Sequence, residues 1–288
     1  MNFSGAILTL GILFSTAQIS CQKGKQEKTE VAQLDMTGIS YGSDTLNKMD
    51  IYLPANRDTS NTKTIVFIHG GSWSSGDKSE FNEAITAIRS SIPDFAMINI
   101  NYRLAVNSSS RFPTQLNDIQ SALNFIESKR QEYKINTNKI CLVGASAGAH
   151  LAMLHAYKNN SAGKIKAVVD LFGPADLKDL YNNHPIPAQA RPVLVNFLGA
   201  TPANNATLYE QASPINFVTA QSVPTQIFHG GNDFVVPIAQ SNALKAKLQA
   251  NNVKVEMTVY PSEGHGWYGT SLLDTYAKTI KFIKENVL

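Results

Sequence analysis

Lys139–Ala152 reads KICLVGASAGAHLA, and the reading of this stretch decides the fold. Ile140-Cys141-Leu142-Val143 is a short apolar run of the kind that forms a buried strand. From Ala147 onward the sequence reads as a helix carrying Leu151 and Leu154. Between the two lies Gly144-Ala145-Ser146-Ala147-Gly148, a G-x-S-x-G turn. A strand that turns straight into a helix holds its middle residue in a strained conformation at the tip, and only small neighbours fit so tight a bend. The Ser146 hydroxyl is then exposed, with a helix N-terminus behind it that favours developing negative charge. A Gly/Ala/Ser-rich loop can produce the pattern by chance, so its meaning rests on the strand before it and the helix after it. The rest of the chain must still supply a base, an acid and an oxyanion hole.

Composition sets the frame for that search. The 288 residues are 43% hydrophobic and 16% charged, which suits one large α/β domain. The formal net charge of +3 comes from scattered lysines and arginines, so no nucleic-acid surface is expected. The two cysteines are Cys21 and Cys141, and Cys141 lies inside the apolar strand as an inert buried thiol. No C-x-x-C and no H-E-x-x-H occurs, so neither a metal nor another cofactor is invoked.

Residues 1–20 contain no Lys, Arg, Asp or Glu, and Ala6–Phe14 is an apolar core too short to span a bilayer comfortably. This reads as an export signal. Ile19-Ser20-Cys21 resembles the end of a bacterial lipobox, which predicts a lipidated Cys21 and a possible membrane anchor. Gln18 and the missing basic n-region depart from that pattern, and a cut after Ala17 would instead release a soluble, periplasmic or secreted chain. Residues 22–35 read as a flexible linker, with the fold expected to start near Met36.

From there strands and helices alternate. Thr37–Tyr41 and Lys48–Leu53 predict an antiparallel edge hairpin. Thr64–Ile68 is a buried strand ending in His69-Gly70-Gly71-Ser72-Trp73, where a glycine pair lets backbone approach a ligand closely. Gly71 and Ser72 are candidate oxyanion donors, with the Ala147 N–H as their partner, and His69 reads as a brace for the loop. Helices are expected at Glu80–Ser91, Pro113 to about Tyr133, Pro237–Asn251 and Ser271–Val287, and further strands at Phe95–Ile100, Ile165–Leu171, Pro224–His229 and Val253–Tyr260. Arg103 and Asp118 are placed to pair and pin a loop. Residues 176–212, with four prolines and short helical stretches, interrupt the alternation and predict a small cap inserted over the site.

The remaining chemistry falls at strand ends. Asp233 follows a strand in Gly230-Gly231-Asn232-Asp233, on the face where parallel sheets bind ligands. His265 lies between two glycines in Ser262-Glu263-Gly264-His265-Gly266-Trp267, 32 residues after Asp233. Glu263 and Asp176 are weaker candidate acids, because neither follows a strand end at the expected distance from His265. His150, His155 and His229 read as packing or bracing residues, and His184 as a surface residue of the cap. Trp73 and Trp267 are candidate walls of a substrate pocket, ordinary packing being the alternative.

The order Ser146, Asp233, His265 is that of the α/β-hydrolase triad. With HGGSW, NYRL, GASAG, HGGND and EGHGW in sequence, residues 36–288 resemble the HGG-x-W carboxylesterases, a group including feruloyl, acetyl and prenylcysteine esterases. The resemblance implies an α/β-hydrolase fold, a mostly parallel twisted sheet of about eight strands with helices on both faces. It also implies Ser146 as nucleophile, His265 as base, Asp233 as acid and the HGG loop as oxyanion hole. The expected activity is hydrolysis of short-chain or polysaccharide-linked acetyl or feruloyl esters. A serine peptidase of the same fold and a catalytically silent binding module are the alternatives, and oligomeric state is not legible.

Overall fold

The computed structural model describes residue 1 and residues 30–287. The expected export signal, Cys21 and most of the linker lie outside the described residues. Eight strands form one sheet: β1 (Leu34–Ser40), β2 (Lys48–Leu53), β3 (Thr64–Ile68), β4 (Ala96–Ile100), β5 (Ile140–Ala145), β6 (Ile165–Leu171), β7 (Thr225–Gly230) and β8 (Val255–Tyr260). Their order across the sheet is β1-β2-β4-β3-β5-β6-β7-β8. The β1–β2 hairpin joins β4 antiparallel, and every neighbour from β4 through β8 is parallel. The expected fold class is therefore the observed one.

Nine α-helices occur among the described residues: α1 (Asn82–Ser91), α2 (Thr114–Ser128), α3 (Arg130–Tyr133), α4 (Ala147–Lys158), α5 (Leu177–Asn183), α6 (Pro187–Leu198), α7 (Ala206–Ala212), α8 (Ala239–Ala250) and α9 (Gly269–Asn286). Side chains alternate across a strand, so each central strand feeds two cores. Phe67, Cys141, Val143 and Val169 pack with Ile85 and Ile88 of α1 and Phe282 and Ile283 of α9. Val66, Ile68, Leu142 and Val168 pack on the other face with α2, α4 and α8. Fully burying one such side chain contributes ~1.5–3 kcal/mol.

Two expected boundaries move. The domain is already tied down before Met36: the Asn56 N–H donates to the Val31 carbonyl, and the Arg57 guanidinium to the Ala32 carbonyl. The long helix from Pro113 breaks at Lys129 into α2 and α3, and Lys134 then ends α3 in a left-handed conformation. Arg103 and Asp118 do pair, through both Nε and Nη2, and the Asp118 carboxylate also accepts from the Arg103 N–H. Residues 176–212 hold α5, α6 and α7, inserted between β6 and β7.

Candidate active site

Ser146 sits between β5 and α4 with φ 53° and ψ −118°, a conformation that costs an L-residue of order 1–3 kcal/mol. Two contacts explain the flanking glycines. A Cβ on Gly148 would lie 2.1 Å from the Ile68 carbonyl oxygen of β3, and one on Gly144 would lie 2.4 Å from Gly148. The elbow is thus pressed against the neighbouring strand end, and the Ser146 N–H is tied to the Leu171 carbonyl at 2.8 Å.

The sheet brings the three distant residues together. His265 Nε2 lies 2.9 Å from Ser146 Oγ, and His265 Nδ1 lies 2.7 Å from Asp233 Oδ2. Asp233 Oδ1 accepts from the backbone N–H groups of Val235 and Val236 at 2.8 and 2.9 Å. Burial raises the pKa of this carboxyl, but hydrogen bonds from His229 and His265 outweigh it, so the group lies well below the usual carboxylate range. An ionised Asp233 holds the Nδ1–H tautomer of His265 and leaves Nε2 free to accept the serine proton.

His229 stands behind the acid, bonded to Ser241 Oγ and the Val236 carbonyl, which is the bracing role expected of it. Asp176 caps α5 by accepting from the Asp179 N–H, and Glu263 accepts from Ser271 Oγ. The His265 ring nitrogens pair with Asp233 and Ser146, not with either alternative acid.

Ser146, Ser72, Trp73 and Ala147 line one cavity of about 70 Å³, roofed by Leu180 of α5, by Ala190, Val193 and Leu194 of α6, and closed by Val235. Ala147 is the first residue of α4, where an N–H has no intrahelical acceptor. Ser72 has φ 52° and Trp73 φ 61°, two successive L-residues in the left-handed region. Gly71 is not among the lining residues. Its φ of 93° turns the chain, and its carbonyl accepts from the N–H groups of Ser74 and Ser75. Gly70, one residue earlier, is the close approach: a Cβ there would lie 3.4 Å from Ser146 Cβ.

Trp73 lines this cavity, as expected, and is also firmly packed. Its ring stacks on Phe197 of α6 at 4.2 Å, and its Nε1–H donates to His150 Nδ1 at 3.2 Å. His150 Nε2 in turn donates to the Ala212 carbonyl, so this buried imidazole is neutral, with burial lowering its pKa to about 4. His69 stacks on Tyr102, whose hydroxyl donates to the Gly70 carbonyl, bracing the loop.

Trp267 does not line the Ser146 cavity but lines a second one together with His265. It packs between Phe172 and Tyr260, and its Nε1–H donates to Thr275, because α9 begins directly after the His265 loop and draws the indole beneath it. His184 is not a surface residue but 4% exposed, accepting from the Ile186 N–H and bonding the Val235 carbonyl, so it joins the inserted helices to the acid loop. The sequence reading also missed Phe172, which packs edge-on to His265 at 4.6 Å, and Asp170, fully buried at the end of β6. Their position at a strand's C-terminal end was the available signal.

An open, mostly parallel sheet with Ser, His and Asp hydrogen-bonded across three of its strand ends defines the chain as an α/β-hydrolase. Residues 49–248 match the model of the BD-FAE family, and the chain belongs to that family. Esterase LipC of Mycobacterium tuberculosis is 26% identical over 80% of this chain and 59% of its own length. The chain spans about half the length of two other mycobacterial relatives it matches. A bifunctional GH43-CE protein of Bacteroides eggerthii superposes with a TM-score of 0.75 and 27% identity, over 87% of this chain and 38% of that one. A truncated carbohydrate esterase from gut microbiota superposes with a TM-score of 0.74 and 25% identity, over 88% of this chain and 95% of that one.

Proposed function

We propose that the protein hydrolyses carboxylic esters through an acyl-enzyme formed on Ser146. The observation that carries this reading is the continuous hydrogen-bond chain Ser146 Oγ–His265 Nε2 and His265 Nδ1–Asp233 Oδ2, opening on a small cavity. His265 takes the Ser146 proton as Oγ attacks the ester carbonyl. The oxyanion is held by the N–H groups of Ser72 and Ala147, while Gly71 shapes the turn that presents Ser72. Each such donor is typically worth ~10²–10³ in turnover. His265 then protonates the leaving alcohol, and a water repeats the sequence to release the acid.

A cavity of about 70 Å³ favours a short acyl group such as acetyl. The carbohydrate-esterase neighbour supports a sugar-linked ester as the substrate. The apolar Ala6–Phe14 stretch and Ser20-Cys21 support export to the cell envelope, with Cys21 as a lipid anchor. The test is the initial rate on p-nitrophenyl acetate, butyrate and octanoate, with Ser146→Ala beside the parent chain. Turnover of acetate by the parent, abolished in Ser146→Ala, is the expected result, with octanoate slower by about tenfold or more. Equal turnover by both proteins overturns Ser146 as nucleophile.

A further inference from the structure

A second cavity, of about 300 Å³, borders the same triad and has no part in the chemistry above. Its deep wall is Phe67 and Val143, from the core shared with α1 and α9, whereas the Ser146 cavity draws Trp73, Ala147 and Leu194 from the opposite core. The two cavities therefore flank the site from the two faces of the sheet. Ser146 lines the small one and His265 lines the large one. The large cavity is faced by Phe81, Phe172, Trp267 and Tyr268, with Glu80 and Glu83 among its lining residues. Tyr268 is 87% exposed, three residues past His265, which presents an aromatic ring to solvent beside the site.

We infer that this cavity is the leaving-group subsite and that it takes an alcohol built on a ring with apolar faces and hydroxyl edges, a pyranose being the type. The inference rests on the ester-hydrolase reading and adds to it the place of the alcohol. An ester has two halves, and the two catalytic groups address different ones. Ser146 Oγ bonds to the acyl carbon. When the tetrahedral intermediate collapses, the bond from that carbon to the alcohol oxygen breaks, and His265 Nε2 gives that oxygen the proton it took from Ser146. The alcohol therefore leaves on the His265 side, where the larger cavity lies. Sizes agree with this division: about 70 Å³ holds a short acyl chain, and about 300 Å³ is at the lower bound of pockets that enclose a ring-sized ligand. Aromatic walls pack against the faces of a ring, and carboxylates accept hydrogen bonds from its hydroxyls.

The test compares kcat/KM on methyl 6-O-acetyl-glucopyranoside with that on ethyl acetate, two acetates that differ in the alcohol alone. In the parent chain the sugar acetate is expected to be preferred by about tenfold or more. Ala84→Phe, which puts a ring into the cavity from α1, is expected to cut that ratio about tenfold. Glu83→Gln, at an exposed position that does not threaten the fold, is expected to lower it by a smaller factor through KM. A ratio near one in the parent or a ratio unmoved by both variants overturns the subsite while leaving the esterase intact. Turnover of neither acetate by the parent overturns the ester-hydrolase reading, and the subsite with it.

Discussion

Asp170 and Asp233 are carboxylic acids less than a tenth exposed at neighbouring strand ends, and their surroundings drive them in opposite directions. Burial pushes Asp170 up to about 7; its Oδ1 accepts one bond, from the Gly173 N–H, and its Oδ2 has no partner. Asp233 accepts from two backbone N–H groups and faces His229 and His265, and is held low. A folded-state pKa above the unfolded value means that stability is complete below about pH 4 and is lost as pH rises toward 7. Asp170→Asn removes that titration. The difference in melting temperature between Asp170→Asn and the parent should therefore grow in the variant's favour as pH rises from 5 to 7. Asp233→Asn should leave the fold in place and lower kcat on p-nitrophenyl acetate by about 10⁴-fold, the cost of the wrong histidine tautomer. Asp233 was legible in the sequence because its glycine turn and its distance from His265 announce it. Asp170 was not, since an aspartate at a strand end reads equally as a solvated one.

Among the elements, the loop from Gly70 to Trp73 carries local strain at two adjacent residues, Ser72 and Trp73. Two successive left-handed L-residues persist only when their surroundings over-determine them. Here the Phe197 stack, the His150 acceptor and the Ala105 N–H donating to the Trp73 carbonyl do so. Trp73→Phe keeps an aromatic face for Phe197 but leaves His150 Nδ1 without its donor. The expected cost is ~1–3 kcal/mol of stability, read by denaturant unfolding. The loop's grip on Ser72 should loosen too, lowering kcat toward the ~10²-fold cost of a lost oxyanion donor, with a smaller change in KM. Element types were readable because β3 and β5 are continuous runs of strand-forming residues and α9 has a clear apolar face. Packing between elements was not, because nothing in the spacing of Trp267 says that α9 will draw it away from Ser146, and nothing near His184 says that the acid loop will bury it.

At the scale of the molecule, buried neutral histidines set the acid limit. Burial lowers His150 and His155 to about 4. A base whose folded pKa lies below its unfolded value gives stability that is complete above about pH 6.5 and is lost as pH falls toward 4. The midpoint of urea unfolding should thus fall from pH 6.5 to 4.5, and replacing His155 with Gln, which keeps a polar partner for Gln120, should flatten that fall. The architecture was legible because five motifs come in a fixed order, each at a strand end. The enclosed shape of the two cavities was not, since it depends on how α1, α5, α6 and α9 settle on the sheet.

The three triad residues follow β5, β7 and β8, so that Ser146 and its histidine lie 119 residues apart in the chain. Neither half of the domain holds the chemistry alone, and β8, the last described strand in sequence, is the one that delivers the base. Loop closure over such separations is slow compared with local helix formation. During refolding, ester turnover should return later than helical far-ultraviolet signal, which makes catalytic competence a timer for completion of the sheet.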